Sequence, residues 1–260
     1  MKLPVTPNRD LGQHFLVDEN ILGVIGRLAG PATDDVVLEI GPGLGVLTTF
    51  LADRVALVHA VEIDVALEPH LRERLAGCRN VRLRFDDALR LDPGVLDPPP
   101  TKLVSNLPYN VATPVVVESL DGLPTVESWC VMVQREVGDR FFASPGTKAY
   151  GAVSVLIQLA CVRTGLHPVS RSVFRPRPRV DSLLVAFRRK PLPAAYGHVK
   201  RVVAAAFSHR RKTLPNSLEL AGAAAREEAV SALAALSRPA STRAEALSPE
   251  EFVALAESLR

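Results

Sequence analysis

The stretch Val36-Val37-Leu38-Glu39-Ile40 runs directly into Gly41-Pro42-Gly43-Leu44-Gly45, and no other part of the chain restricts its fold as strongly. A continuous apolar run this short, closed by glycines, reads as a strand buried on both faces. The glycines let the backbone approach a ligand closely, and they open a helix whose N-terminus carries partial positive charge. That helix is expected from about Val46 to Arg54. A second strand, Leu57 to Ile63, ends in Glu62 and Asp64. An acid at the end of the next strand can accept hydrogen bonds from both hydroxyls of a ribose, and Glu62 lies near the usual offset of about 20 residues. A dinucleotide site needs a turn shaped for a pyrophosphate. Glu39-x-Gly-x-Gly, with its acidic lead-in, better suits S-adenosylmethionine, which has no phosphate. The competing reading is a bare structural turn.

The same punctuation recurs downstream. Val81 to Phe85 reads as a third strand ending at Asp86-Asp87-Ala88, where an Asp can accept from an adenine amine or cap a turn. Leu103 and Val104 read as the end of a fourth strand, left through Asn106-Leu107-Pro108-Tyr109. Open α/β folds bind ligands at the carboxyl ends of their strands. An exocyclic amine on a flat base is a poor nucleophile because its lone pair is delocalised into the ring. Acceptors that hold both amine hydrogens out of the ring plane push the nitrogen toward a tetrahedral, nucleophilic state. The Asn106 side-chain oxygen and the Leu107 carbonyl suit that task, with Pro108 fixing the turn. Tyr109 can stack on the base, a contact of roughly 1–3 kcal/mol in single-strand binding. The bland reading is a strand-to-helix turn in which Asn caps and Tyr packs.

Ahead of the first strand, Arg9-Asp10-Leu11-Gly12-Gln13-His14-Phe15-Leu16 is a polar, glycine-punctuated segment able to fold over a cofactor, or simply an ordered tail. Asp18 reads as an N-cap, and Ile21, Leu22, Ile25 and Leu28 follow at helical spacing up to Gly30-Pro31. Beyond the Asn106 turn, Thr113-Pro114 reads as a cap and first helical residue. Glu127 to Gln134 reads as a fifth strand, Ser144 to Gly151 as a loop and Ala152 to Ala160 as a helix. Cys161 to Leu166 and Ser182 to Phe187 read as an antiparallel pair. Between them, Phe174-Arg175-Pro176-Arg177-Pro178-Arg179 makes a stiff cationic loop, excluded from a sheet interior by its prolines. It can lay Arg175, Arg177 and Arg179 along phosphates while Phe174 stacks on a displaced base, or be a rigid edge loop. From about Pro191 alanine-rich helical periodicity takes over, with Arg201, His209, Arg210, Arg211 and Lys212 beside an apolar face. Ser248-Pro249-Glu250-Glu251 forms a capping box.

Composition narrows the class. Lys and Arg exceed Asp and Glu by only three, 31 against 28, yet the surplus sits in Arg171 to Lys190 and Lys200 to Lys212, a common footprint of a nucleic-acid partner. Cys78, Cys130 and Cys161 lack metal-ligand spacing, so no metal is expected and a reduced, cytoplasmic compartment fits. No apolar run approaches the ~20 residues that span a bilayer. Met1-Lys2-Leu3-Pro4 does not read as a signal peptide.

Taken in order, Leu11–Leu16, Glu39–Gly43, Val61–Asp64, Asp87-Ala88, Asn106–Tyr109, Lys148-Ala-Tyr-Gly151, Phe174-x-Pro-x-Pro-x-Val-x-Ser182 and Phe207–Leu214 resemble the ribosomal RNA adenine dimethyltransferases of the KsgA type. The resemblance implies an α/β fold: a class I (Rossmann-like) methyltransferase sheet over residues 1–190, with a small all-helical RNA-binding domain over 191–260. It implies S-adenosylmethionine as donor, S-adenosylhomocysteine as product, and N6,N6-dimethylation of two adjacent adenosines in a hairpin near the 3′ end of small-subunit (16S) rRNA, within a pre-ribosomal subunit. It assigns donor contacts to His14, Leu16, Gly41, Gly43, Glu62, Asp87 and Asn106. It assigns methyl transfer to Asn106, Leu107, Pro108 and Tyr109, with Phe174 as a second stacking ring. A monomer without a membrane partner is expected. Relatives often have Asn at His14 and Arg at Pro215. Three alternatives are a large-subunit rRNA adenine methyltransferase of the macrolide-resistance type, a DNA adenine methyltransferase, which more typically has proline in place of Leu107, and a non-catalytic ribosome-assembly factor.

Overall fold

In the computed structural model, residues 3–8 and 11–259 are described; Arg9 and Asp10 of the N-terminal motif lie outside the described residues. Seven strands form the main sheet: β1 (Val36–Ile40), β2 (Leu57–Glu62), β3 (Val81–Phe85), β4 (Lys102–Asn106), β5 (Ser128–Gln134), β6 (Cys161–Val169) and β7 (Ser182–Arg189). Their spatial order is 3-2-1-4-5-7-6. The pairs β1–β2, β2–β3, β1–β4 and β4–β5 are parallel, while β5 and β7 run antiparallel with Gln134 opposite Ser182. All five residues of β1 are buried, as a continuous apolar run in the middle of a parallel sheet must be. The order reverses between β1 and β4, so the exits of these two central strands flank the point where such sheets hold ligands.

The helices are α1 (Asn20–Ala29), α2 (Val46–Ala52), α3 (Glu68–Arg74), α4 (Ala112–Gly122), α5 (Arg135–Phe141), α6 (Ala152–Ala160), α7 (Tyr196–Phe207), α8 (Leu214–Leu220), α9 (Arg226–Ala235) and α10 (Pro249–Ser258). Ile21, Leu22 and Ile25 of α1 join Val37 of β1, Val104 of β4 and Met132 of β5 in one core. Asp18 acts one residue earlier than expected: its carboxylate accepts from the Asn20 amide at 2.9 Å, while Glu19 holds the cap position. Likewise α4 starts at Ala112, so Thr113 and Pro114 fall inside its first turn, where no intrahelical N–H bond is lost to proline. Strand β6 runs on through Pro168 to Val169, three residues past the expected end, because an edge strand tolerates a residue with no N–H. A two-residue ribbon pairs Phe15–Leu16 with Phe174–Arg175, Phe15 opposite Arg175.

The described residues divide into two units. One holds the residues up to Gly138 and Arg163–Arg189; the other holds Asp139–Val162 and the residues from Lys190 onward. The expected boundary near residue 190 is thus only half of the division, since residues 139–162, read as part of the first domain, pack with the helical unit. Within that unit Tyr150 is fully buried and donates its hydroxyl to the Leu247 carbonyl at 2.8 Å. Its ring meets Phe207 edge-on at 6.2 Å, and Phe207 lies 5.7 Å from Phe252. These long-range contacts explain why Ala152–Ala160 belongs with sequence far downstream: the shared apolar core outweighs chain proximity. The Ser248 capping box forms as read, with Ser248 Oγ accepting from the Glu251 amide at 3.2 Å and Glu251 accepting from the Ser248 amide at 2.7 Å.

Candidate functional site

Beyond β1 the chain passes through Gly41 and Gly43 at φ 72° and 58°, conformations that cost an L side chain about 1–2 kcal/mol. Close approach adds to this requirement. A Cβ on Gly41 would lie 3.1 Å from Pro108, and one on Gly43 would lie 3.0 Å from the Phe15 ring. The glycine turn is therefore clasped by the β4 exit on one side and by the N-terminal segment on the other. Below it, Ser105 Oγ donates to the Ile40 carbonyl at 2.5 Å and ties the two central strands together beneath their exits.

Glu62, at the end of β2, is buried and accepts three backbone N–H groups: Gly43 at 3.1 Å on one oxygen, Ile63 and Asp64 at 3.0 Å each on the other. A carboxylate offers about four acceptor sites, so one remains for a ligand hydroxyl rather than enough for a free two-point grip. Burial raises its pKa, and the three amides oppose that. Glu39 is buried more deeply. Among the described residues one of its oxygens and the Thr48 hydroxyl make no hydrogen bond of good geometry, and burial pushes its carboxyl up from the usual 4.5 to about 8, with the adjacent Thr48 hydroxyl opposing the rise and the Glu62 charge adding to it. At the β3 exit, Asp87 accepts from the Leu89 amide at 3.0 Å and faces Arg90 at 3.6 Å. Gln13 pins the N-terminal segment across these exits by donating Nε2 to Asp64 at 2.6 Å.

The β4 exit is built differently. Leu107 continues the sheet by donating its amide to the Met132 carbonyl at 3.0 Å, and among the described residues no group donates to the Leu107 carbonyl. Asn106 Nδ2 donates to the His14 carbonyl at 3.4 Å, which leaves Oδ1 as an acceptor. The Tyr109 hydroxyl shares a 2.7 Å hydrogen bond with the buried Ser182 hydroxyl, and its ring sits 5.4 Å from the His14 ring. His14 in turn donates Nδ1–H to the Pro176 carbonyl at 2.7 Å.

One pocket opens between these exits, enclosing about 1070 Å³ counted with the solvent it opens onto. His14, Leu16, Gly41, Gly43, Glu62, Asp87, Asn106, Leu107, Pro108 and Tyr109 all line it. So do Glu39 and Asp86, and among the described residues no Lys or Arg does. Phe174 requires a correction. It is 0 % exposed, belongs to the same core cluster as Leu16 and Val173, and does not line this pocket. The prolines stiffen the loop, but its first residue pairs with Leu16 and turns inward. The sequence reading assigns no site role to Ser105, a lone serine in a strand, or to Ser182, which enters only as the last residue of the Phe174-x-Pro-x-Pro-x-Val-x-Ser182 motif. Among the described residues no three His, Cys, Asp or Glu side chains gather as a metal site.

The cationic loop has a division of labour of its own. Arg171 donates to the Arg179 carbonyl at 2.9 Å and its amide to Asp181 at 2.9 Å. Arg175 donates to the carbonyls of Ser172 and Phe174 at 3.2 and 2.9 Å. Arg177 and Arg179 are exposed, and their guanidinium groups reach no partner among the described residues. In the helical unit, Arg210, Arg211 and Lys212 are exposed after α7, and Pro215 is buried in the first turn of α8.

A model of the ribosomal RNA adenine dimethylase family matches residues 5–260. The ribosomal RNA small subunit methyltransferase A of Rubrobacter xylanophilus is 51% identical over 250 residues, 96% of this chain and 94% of that protein. Its counterpart from Thermobifida fusca is 44% identical over 98% of this chain and 91% of that one. Among solved structures, a dimethyladenosine transferase from Plasmodium falciparum superposes with a TM-score of 0.77 at 24% identity, covering 93% of this chain and 96% of that one. The 23S rRNA methyltransferase ErmE superposes at 0.69 with 28% identity, over 94% and 99%. The α/β fold is thus that of class I methyltransferases, and the match along nearly the whole length makes this chain a member of the ribosomal RNA adenine dimethylase family.

Proposed function

We propose that this chain transfers methyl groups from S-adenosylmethionine to the N6 amines of two adjacent adenosines in a hairpin near the 3′ end of small-subunit rRNA, acting as a cytoplasmic monomer on a pre-ribosomal subunit. One observation carries the reading: the glycine turn of β1 and the Asn106–Tyr109 exit of β4 border a single pocket whose lining includes the acids Glu62, Asp86 and Asp87 and, among the described residues, no Lys or Arg. Such a lining repels pyrophosphate and suits a cationic sulfonium bearing an ammonium group. The unpartnered Glu39 oxygen supplies an acceptor in the pocket wall, Glu62 retains one acceptor site for a ribose hydroxyl, and Asp87 stands where an adenine amine needs one. His14, in place of the Asn of many relatives, uses its ring on Pro176 and Tyr109, so its donor contact runs through its backbone. When bound, the donor supplies an electrophilic methyl group.

The chain's own residues do the rest by positioning. Asn106 Oδ1 and the Leu107 carbonyl accept the two amine hydrogens, and Tyr109 stacks on the base. The adenosine leaves its stack to enter, at a cost of a few kcal/mol that the stacking offsets. After transfer the nitrogen is cationic and acidic, and its proton passes to water without a dedicated protein base. Arg177 and Arg179 hold backbone phosphates while Arg171 and Arg175 keep the loop in shape. Arg210, Arg211 and Lys212 add a second cationic contact from the helical unit.

Incubation with methyl-labelled donor and small or large subunits lacking the modification tests the reading. Label on two neighbouring adenosines of the small-subunit rRNA is the expected result. Label on large-subunit rRNA alone would assign the macrolide-resistance role instead, and binding without label would assign an assembly factor.

A further inference from the structure

Tyr109 carries a hydroxyl that stacking does not need. A phenylalanine ring has the same face, so the polar atom requires its own explanation. Its oxygen is 2.7 Å from Ser182 Oγ, at the first residue of β7. Ser182 is fully buried, with its backbone held opposite Gln134 in the β5–β7 ladder, so its hydroxyl is a fixed point rather than a mobile surface group. The preceding residue, Asp181, accepts the Arg171 amide through its side chain and the Arg135 amide through its carbonyl. The anchor is therefore continuous with both the sheet and the base of the cationic loop. Across the ring, His14 lies at 5.4 Å and an interplanar angle of 37°, and is itself held by the Pro176 carbonyl. The tyrosine is thus held at its tip by Ser182 and has His14 beside its ring, in the wall of the pocket.

Resting on the reading above, we infer that Ser182 is a positioning residue for methyl transfer: it fixes the Tyr109 ring at its stacking angle, and the phenol serves as a tether rather than as an acid, a base or a nucleotide contact. Burial raises the phenol pKa above its ordinary 10, so it holds its proton throughout the neutral range. The hydrogen bond to Ser182 holds the phenol oxygen in place whichever of the two hydroxyls donates.

A double-mutant cycle tests this. Wild type, Ser182→Ala, Tyr109→Phe and the double variant are compared for kcat and KM on small-subunit particles. Donor binding is measured by calorimetry without RNA, and thermal melts report folding. Losing one oriented hydrogen bond should lower kcat about fivefold to tenfold in each single variant. The double variant should be no slower than either single one, with KM and donor affinity within about twofold. Ser182→Thr, which keeps the hydroxyl, should recover most of the rate. If Ser182→Ala fails to fold, Tyr109→Phe and Ser182→Thr still decide. A Tyr109→Phe enzyme at full rate, or a Ser182→Thr enzyme as slow as Tyr109→Phe, overturns the tether. Losses that multiply in the double variant, or a rise in KM with Tyr109→Phe alone, overturn it too. A wild type that methylates no rRNA would refute the proposed function itself, and is read before the cycle.

Discussion

The two central strand exits border the same pocket and are built on opposite plans. At the β1 and β2 exits the groups that meet the pocket are also built into the fold: Glu62 holds three amides, and Phe15 and Pro108 fill the space above the glycines. At the β4 exit each group is held at one end and open at the other. Asn106 is fixed through its amide nitrogen with its oxygen available, Tyr109 through its hydroxyl with its ring in the pocket wall, and Leu107 through its N–H with its carbonyl available. The first plan makes a rigid cradle, in which stability and ligand binding are one property. The second makes a clamp, in which the functional atoms carry little of the fold. Mutations at the first exit should therefore cost stability and donor affinity together, and mutations at the second should cost turnover alone.

The sharpest break of that contrast lies behind the clamp. Phe174→Ala, in the sheet core, should lower stability by about 3–5 kcal/mol, measured by denaturant unfolding. A stable variant with weakened RNA binding would return the ring to the surface role first expected of it. On the cradle side, Gly41→Ala should cost about 1–3 kcal/mol through its positive φ and the contact with Pro108, and calorimetry should find donor binding weakened in parallel. Loss of donor binding at full stability would separate two properties that the cradle is said to join.

Glu39 gives the cradle a pH signature. Its folded-state pKa of about 8 stands above the usual 4.5, so between those values the unfolded chain has released a proton that the native state keeps. Stability therefore falls as pH rises through that window and levels off above about 8. Glu39→Gln should flatten the fall. Melting curves at pH 5 and pH 8 check it, and equal slopes for both proteins would contradict it. The smallest effect belongs to the loop. Replacing Arg177 and Arg179 by Gln should reduce the salt dependence of RNA binding by about 0.7 for each phosphate no longer neutralised, with donor affinity unchanged, whereas Arg175→Gln should act on loop order.

Much of this was legible before any coordinates. β1 and β3 have the bounds read from their apolar runs, and eight of the ten pocket residues, all but His14 and Leu16, fall at or just past strand ends where glycine, acid or amide punctuates the pattern. What stayed hidden depends on partners distant in the chain. Helix α5 follows β5 with no turn residue between them, and its Gly138, which weakens a helical reading, sits there because Leu183 packs against it. Phe174 looks exposed beside three arginines until its pairing with Leu16 turns it inward. Residues 139–162 join the helical unit through contacts such as Tyr150 to Leu247, which no local periodicity encodes.

The most direct measurement takes Asn106→Ala through calorimetric titration with the donor and single-turnover transfer to small-subunit particles. Donor affinity within about twofold of wild type, with transfer slowed about 100-fold or more, is the result the clamp requires. An active variant, or one whose loss of rate is matched by loss of donor binding, would contradict it.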